Sequence, residues 1–315
     1  MDDLSCSRRD ANDVLSVARA LFDQAAGLIA ERNGFAAIRT LGPQLTELRD
    51  LAIGLGLGGR FLEAARQHEL FELCQQDPYT ARAYHKPRGY AGDAVMLDYV
   101  YSGNPPEGTS AIGSQIFHAT TRVPMGLSVL YRRARLQAHI NDVIARKPAC
   151  RILSVASGHC REIEDSLLFR QVSDCEFYAL DQDREAGATV ASQYVHPHLH
   201  IVTAPIKALV SGRIDLGDFD FIYSAGLYDY LPGPIAARLT HRLFAMLKPA
   251  GQLLTANFLR TCYGRGYLEA FMDWQLVYRT AEELRELFPE AARNDVRVSL
   301  DPHGNVAYAL ATRAN

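Results

Sequence analysis

The sequence predicts an α/β protein whose second half forms a doubly wound parallel sheet. After Pro148, short apolar segments alternate with segments of helical length. The predicted strands cover residues 151–156, 176–180, 199–203, 219–224 and 251–258. Because neighbouring parallel strands need a crossover connection, this alternation is typical of βαβ units with right-handed crossovers. Two later segments, near residues 295–300 and 307–312, predict a hairpin-like pair.

The first part of the chain has a different pattern. From Asp10 to about Ala83, apolar residues recur at the three- and four-residue spacing of amphipathic helices. A longer predicted helix runs from about Val123 to Arg146. We therefore predict a helical cap domain over residues 1–122 and a second domain, with the sheet, over residues 123–315.

The composition excludes several classes of protein. Of the 315 residues, 48% are hydrophobic and 22% are charged, as in ordinary globular proteins. The formal net charge of −3 does not favour binding to nucleic acid or to an anionic membrane. No apolar run approaches the roughly 20 residues that span a bilayer, and the N-terminus lacks the apolar core of a signal peptide.

The six cysteines are spread along the chain without a Cys-x-x-Cys pair. This spacing favours free thiols in a reducing cytoplasm over a zinc site or a disulfide framework. Three alternating histidines, His196, His198 and His200, have a spacing that hints at metal, but we expect no carboxylate beside them and no bound metal. The sequence thus predicts a cytoplasmic enzyme that acts on a small molecule, and it predicts no particular oligomeric state.

A small-residue turn follows the first predicted strand. The turn contains Ala156, Ser157 and Gly158, and a helical stretch is expected to begin just after it. In doubly wound folds such a turn lets a nucleotide approach the backbone. The second strand ends at Asp181, followed by Gln182, and an acid about 20 residues after the turn accepts hydrogen bonds from ribose hydroxyls. These residues predict a nucleotide-binding crevice.

The fourth strand ends in small residues and aromatics. Ser224, Ala225 and Gly226 come first, and Tyr228 and Asp229 follow. At the carboxyl edge of the sheet, the ring of Tyr228 could stabilise a cation. Asp229 could orient a substrate or simply begin a turn. We treat both as candidate catalytic residues.

Three segments together carry a resemblance. The Ser157-Gly158 turn with Asp181, the segment FDFIYSAGLYDYL at 219–231 and LKPAGQLL at 247–254 resemble the successive motifs of class I S-adenosylmethionine (SAM)-dependent methyltransferases. The resemblance covers about residues 125 to 315. It implies a Rossmann-like fold, SAM as the cosubstrate and no metal.

A narrower resemblance lies upstream. The segment HKPRGYAGD at 85–93, with Met96, Tyr99 and the later SAGLYDYL, is similar to the bacterial 3-hydroxypalmitic acid methyl ester synthases. This implies methyl transfer to the carboxylate of a 3-hydroxy fatty acid, in secondary metabolism or quorum-sensing signal biosynthesis. A related group cyclises SAM to azetidine-2-carboxylic acid and releases methylthioadenosine, and the motifs do not separate the two. A third reading is a SAM-binding regulatory module without catalysis.

The chain departs from the methyltransferase pattern at several positions. Ser154 replaces the usual acid of the first strand, and Ala156 and Cys160 replace two glycines. No acid follows the third strand, so we expect adenine to be recognised by the backbone near Ile206 and by apolar packing. The amino group of SAM then needs another acceptor, for which the candidates are Glu162 and Asp93.

The cap segment and the helix before the first strand supply further candidates. Arg88 could clamp a carboxylate with two hydrogen bonds or form a salt bridge that links domains. Tyr90 and Asp93 lie in the same segment, rich in glycine and charge, and are candidate catalytic residues. Arg133, on the preceding helix, could reach the carboxylate of SAM.

Overall fold

The computed structural model describes residues 3–170 and 174–314. Its helices are α1 (Asp3–Ala30), α2 (Gly34–Gly54), α3 (Gly58–Arg66), α4 (Glu69–Gln75), α5 (Pro78–His85), α6 (Ala94–Ser102), α7 (Ala111–Thr120), α8 (Pro124–Arg146), α9 (Leu167–Arg170), α10 (Arg184–Gln193), α11 (Ile206–Val210), α12 (Gly233–Ala245), α13 (Arg265–Phe271) and α14 (Ala281–Arg285). Within these described ranges, no helix has both the length and the apolar character needed to cross a membrane.

The strands are β1 (Arg151–Val155), β2 (Glu176–Asp181), β3 (Leu199–Thr203), β4 (Phe219–Ser224), β5 (Leu247–Phe258), β6 (Arg297–Leu300) and β7 (Val306–Thr312). They form one sheet in the order β3-β2-β1-β4-β5-β7-β6. The first five are parallel, and β7 is antiparallel to both β5 and β6. The doubly wound α/β fold and the late hairpin-like pair, both predicted from sequence, are confirmed.

The chain divides into two compact units. The helical unit comprises Met1–Leu127 and Cys262–Gln275, and the sheet unit comprises Ser128–Thr261 and Leu276–Asn315. The sequence-based division between residues 122 and 123 does not include the return of 262–275 to the helical unit. In the structure, Arg49 of α2 pairs with Glu269 at 2.6 Å, and the Phe271 ring packs edge-on against Phe22.

Parallel strands all point their carboxyl ends to one edge of the sheet. From β1 the chain moves outward to β2 and β3, and it then returns to β4 on the other side of β1. The strand order therefore reverses between β1 and β4. In open α/β sheets, ligands bind in the crevice at such a switch point.

Two predicted helices differ from their expected form. The helical pattern predicted up to about Ala83 is interrupted between α3 and α4, because His68 caps α4 by accepting a hydrogen bond from Leu70 N at 3.1 Å. The helical stretch expected from Arg161 is a single 3₁₀ turn, Arg161–Ile163, followed by the short α9. Cys160 precedes the 3₁₀ turn with a φ of 51°, so a regular helix does not start there.

A close backbone contact within the helical unit gives a stability prediction. At Gly266 of α13, a Cβ atom would lie 2.5 Å from the carbonyl carbon of Leu45 in α2. We expect Gly266→Ala to lower the free energy of unfolding by roughly 1–3 kcal/mol, because the two helices must separate. The fluorescence of Trp274, the single tryptophan, reports unfolding of this unit. Gly59→Ala, where a Cβ meets nothing within 4 Å, is the control, and equal effects would contradict the prediction.

Candidate functional site

The turn after β1 has an unusual backbone. Ala156, Gly158 and Cys160 all have positive φ, at 57°, 54° and 51°. Only glycine adopts this left-handed region readily, so the alanine and the cysteine are held there by the surrounding structure at some cost. Ser157 N donates to Leu180 O at 3.1 Å, which ties the turn to the end of β2. The backbone of the turn thus keeps the left-handed conformation that glycine favours, although Ala156 and Cys160 replace the two expected glycines.

Asp181 joins this turn to the end of β2. One carboxylate oxygen accepts from Gly158 N at 2.8 Å, and the other accepts from Asp183 N at 2.9 Å. Each oxygen keeps a further lone pair, and Asp181 is only half-buried. The structure therefore brings together two residues, Gly158 and Asp181, that the sequence predicted as one binding site. Gln182, the next residue, is exposed.

The end of β3 lies beside this carboxylate. Ala204 N donates to Asp181 O at 2.9 Å, and Pro205 leads into α11, whose first residue is Ile206. The side chain of Ile206 is half-buried and packs against the apolar core on one face of the sheet. Its role in binding adenine stays a prediction.

A buried carboxylate lies at the ends of β1 and β4. Glu162 of the 3₁₀ turn is 7% exposed, and its Oε1 accepts a hydrogen bond from Tyr223 Oη at 2.5 Å. Tyr223 pairs in register with Ser154 of β1. Burial raises the pKa of Glu162, while Tyr223, Arg132 and Arg133 act in the opposite direction.

The residues after β4 are fixed from two sides. Ser224 Oγ donates to Val155 O at 3.0 Å, and Arg132 Nη1 donates to Ala225 O at 2.6 Å. Arg132 is 6% exposed. Ser224 and Ala225 are also buried, and Gly226 is half-buried. Of these small residues, Gly226 is therefore the most accessible.

Arg133, which is predicted to reach the SAM carboxylate, lies next to Arg132 on α8. It donates to Arg161 O at 3.0 Å and to Glu164 Oε2 at 2.6 Å, and its role in binding SAM stays a prediction. The phase of α8 could have identified Arg132, because it shares the buried face of the helix with Leu136 and Ile140. The structure places Arg132 at the loop after β4 and Arg133 at the turn after β1.

Tyr228 and Asp229 are buried rather than exposed at the edge of the sheet, and their catalytic roles stay predictions. Tyr228 is fully buried in the core, with its hydroxyl 2.8 Å from Thr240 of α12. Asp229, 4% exposed, accepts from Phe258 N at 2.7 Å. The 3₁₀ turn Tyr228–Tyr230 carries both side chains inward. They support the loop that follows β4.

The buried Asp229 gives a prediction about pH. Burial raises its pKa from an ordinary 3.8 to about 6. The carboxyl group therefore favours the folded state below about pH 4, and this contribution is lost as the pH rises through about 6. We expect Asp229→Asn to gain stability relative to the wild type over that range, by up to roughly 3 kcal/mol. Chemical denaturation at several pH values measures the difference, and a constant difference would contradict the assignment.

Asp93 has a structural role in the helical unit. Its Oδ1 accepts from Met96 N at 3.0 Å, so it caps α6, and its Oδ2 lies 2.8 Å from Arg82 Nη2. The Asp93 side chain is only 1% exposed. These contacts give Asp93 a structural role, and its role as a catalytic residue or amine acceptor stays a prediction. Arg88 and Tyr90 are half-buried in the preceding turn, and their roles stay predictions.

The three alternating histidines do have a carboxylate nearby. Glu176 of β2 accepts from His198 Nδ1 at 2.7 Å and also contacts His200 Nε2. The expectation of no carboxylate is wrong, because the neighbouring strand β2 supplies Glu176. Among the residues that the structure describes, no group of three or more side chains could hold a metal ion.

No protein-family model and no curated protein matches this chain in sequence. Solved structures do match. A possible exported protein from Bordetella parapertussis aligns over 89% of this chain and 96% of its own, with 16% identity and a TM-score of 0.59. The SAM-dependent methyltransferase SibL aligns over 92% of this chain and 99% of its own, at 14% identity and a TM-score of 0.47.

A third match is magnesium protoporphyrin IX methyltransferase from Synechocystis PCC 6803 with bound S-adenosylhomocysteine. It aligns over 75% of this chain and 100% of its own, at 8% identity and a TM-score of 0.49. The Bordetella structure shows that its fold is shared by this chain.

Proposed function

We propose that this chain is a SAM-dependent transferase whose cosubstrate lies across the carboxyl ends of β3, β2, β1 and β4. The observation that carries the proposal is the Asp181 carboxylate, which two backbone amides orient beside the Gly158 turn. This arrangement suits the two hydroxyls of a ribose. The residues proposed to line the site are Ala156, Ser157, Gly158, Asp181, Gln182, Ile206 and Gly226.

The proposed reaction is transfer of the SAM methyl group to the carboxylate of a 3-hydroxy fatty acid. The segment HKPRGYAGD and its resemblance to methyl ester synthases support this substrate class. A carboxylate is already anionic at neutral pH, so its methylation needs no strong base. Rate acceleration would come mainly from aligning the carboxylate oxygen with the methyl carbon and the sulfur. Tyr228 and Asp229 are buried and so offer no base at the edge of the sheet, which fits a reaction that needs none.

A second candidate reaction is cyclisation of SAM to azetidine-2-carboxylic acid. The buried carboxylate of Glu162, whose pKa burial raises, favours it. Here an ammonium proton passes to a base, and the neutral amine attacks Cγ of the same molecule. The C–S bond breaks, and its electron pair leaves with the sulfur of methylthioadenosine.

Mass spectrometry of the purified protein with SAM separates these reactions. Methylthioadenosine formed without an acceptor, above a boiled control, means cyclisation and contradicts methyl transfer. S-adenosylhomocysteine that forms only after 3-hydroxy fatty acids are added supports methyl transfer to them. If neither product forms although SAM binds, both proposed reactions are wrong, and the result favours a SAM-binding module. Asp181→Ala should form neither product.

A further inference from the structure

Glu162 is a charged group in an unusual place. It lies two residues after the turn of Ala156–Cys160, and its Oε1 accepts a hydrogen bond from Tyr223 Oη at 2.5 Å. Because Tyr223 pairs with Ser154 in register, the carboxylate lies at the carboxyl ends of β1 and β4. This is the switch point of the sheet. A carboxylate that is 7% exposed costs free energy unless hydrogen bonds or a nearby cation stabilise its charge.

The strand order fixes where Glu162 lies relative to the proposed ribose site. Asp181 ends β2, and β1 separates β2 from β4. Neighbouring strands are about 4.8 Å apart, so the ends of β2 and β4 are separated by roughly 10 Å. A nucleoside bound at Asp181 and extended along the strand ends away from β3 would bring its 5′ substituent to Glu162. In SAM that substituent ends in an amino acid.

We infer that Glu162 binds the α-ammonium group of the cosubstrate and that Tyr223 positions its carboxylate. The inference rests on the proposed function and assigns the amino-acid end of the ligand. An ammonium group is a strong donor to a carboxylate, and such charge-assisted hydrogen bonds are the strong ones. Asp93, the other candidate acceptor, is committed to Arg82 and the cap of α6. Glu162 thus supplies an acidic side chain in place of the usual acid of the first strand, which is Ser154 in this chain.

Two ligands that differ only at this end test the inference. S-adenosylhomocysteine carries the amino-acid group, and 5′-methylthioadenosine is the same thioether nucleoside without it. We expect Glu162→Gln to weaken S-adenosylhomocysteine about ten-fold or more in calorimetry, and to leave methylthioadenosine unchanged. Decarboxylated SAM, which keeps the amine, should lose affinity to the same degree. Tyr223→Phe should weaken the binding of S-adenosylhomocysteine less than Glu162→Gln does, and it should likewise leave the binding of methylthioadenosine unchanged.

Glu164→Gln is the matched control, because Glu164 lies two residues away with a half-exposed side chain paired to Arg133. Glu164→Gln should change neither the affinity for S-adenosylhomocysteine nor the affinity for methylthioadenosine. If Glu162→Gln weakens both ligands equally, Glu162 only supports the turn, and the inference is wrong. It is also wrong if neither affinity changes. If the wild type binds neither ligand, the proposed function itself fails, which is a different result from a loss of selectivity.

A pH series gives an independent readout. The groups that act on Glu162 are Tyr223 from β4, Cys160 from the turn, and Arg132 and Arg133 from α8. Burial raises the pKa of both Cys160 and Tyr223 well above their ordinary values, so neither ionises at neutral pH. Affinity for S-adenosylhomocysteine should therefore rise with pH as Glu162 ionises, and it should do so above the ordinary range of a glutamate because burial raises the pKa of Glu162. A similar rise in Glu162→Gln would contradict the inference.

Discussion

Replacing Asp181 by alanine should weaken SAM binding about 100-fold or more. The substitution removes a carboxylate that would accept hydrogen bonds from two ribose hydroxyls, each worth roughly 1.5–3 kcal/mol when the acceptor is charged. It also removes the acceptor for Gly158 N at 2.8 Å and for Asp183 N at 2.9 Å, so the turn that faces the ribose loses its anchor. Isothermal titration with SAM or S-adenosylhomocysteine measures the change.

Asp183→Asn is the control for charge. Asp183 lies two residues further on and caps α10 by accepting from Glu185 N at 2.9 Å, a role that asparagine can keep. It should retain most of the affinity. Equal losses in the two variants would mean that only the negative charge of this region matters. An unchanged affinity in Asp181→Ala would show that the ribose is not bound there.

The second large effect concerns Arg279 and stability. This guanidinium is 4% exposed and donates to Tyr228 O at 2.7 Å, to Leu231 O at 2.5 Å and to Asn257 Oδ1. Replacing it by methionine leaves three acceptors without this donor and removes one of the two cations, Arg132 and Arg279, that act on Asp229. We expect a loss of roughly 3–5 kcal/mol in the free energy of unfolding. Urea denaturation followed by circular dichroism measures it.

Arg260→Met is the matched control for this substitution. Arg260 pairs with Glu283 at the surface, and its side chain is 59% exposed, so its removal should cost about 0–1 kcal/mol. A comparable cost for the two variants would contradict the role of Arg279 as the support of the loop after β4. The same loop carries Gly226, so Arg279→Met should also weaken SAM binding in protein that remains folded.

The sheet and the Gly158–Asp181 pair could be predicted from sequence because both follow from local patterns. Alternating apolar segments determine which residues form strands, and parallel strands bring their carboxyl ends to one edge. Asp181, at the end of the second strand, must then lie near the turn after the first. Neither step requires knowledge of a side-chain orientation.

The orientation of Tyr228 and Asp229 could not be predicted in this way. Whether an aromatic residue after a strand faces solvent or the core depends on one 3₁₀ turn and on partners distant in sequence, here Thr240 and Phe258. The role of Arg279 depends likewise on three acceptors from two separate segments, the loop after β4 and the end of β5. The return of residues 262–275 to the helical unit is another long-range contact that periodicity does not reveal.

A crystal structure of the protein with S-adenosylhomocysteine tests the central claim most directly. The account predicts one ligand per chain along the carboxyl ends of β3, β2, β1 and β4. Its ribose hydroxyls should lie within hydrogen-bond distance of Asp181, its adenine beside Ile206 and its amino group at Glu162. A ligand bound elsewhere, or no ligand at saturating concentration, would contradict it.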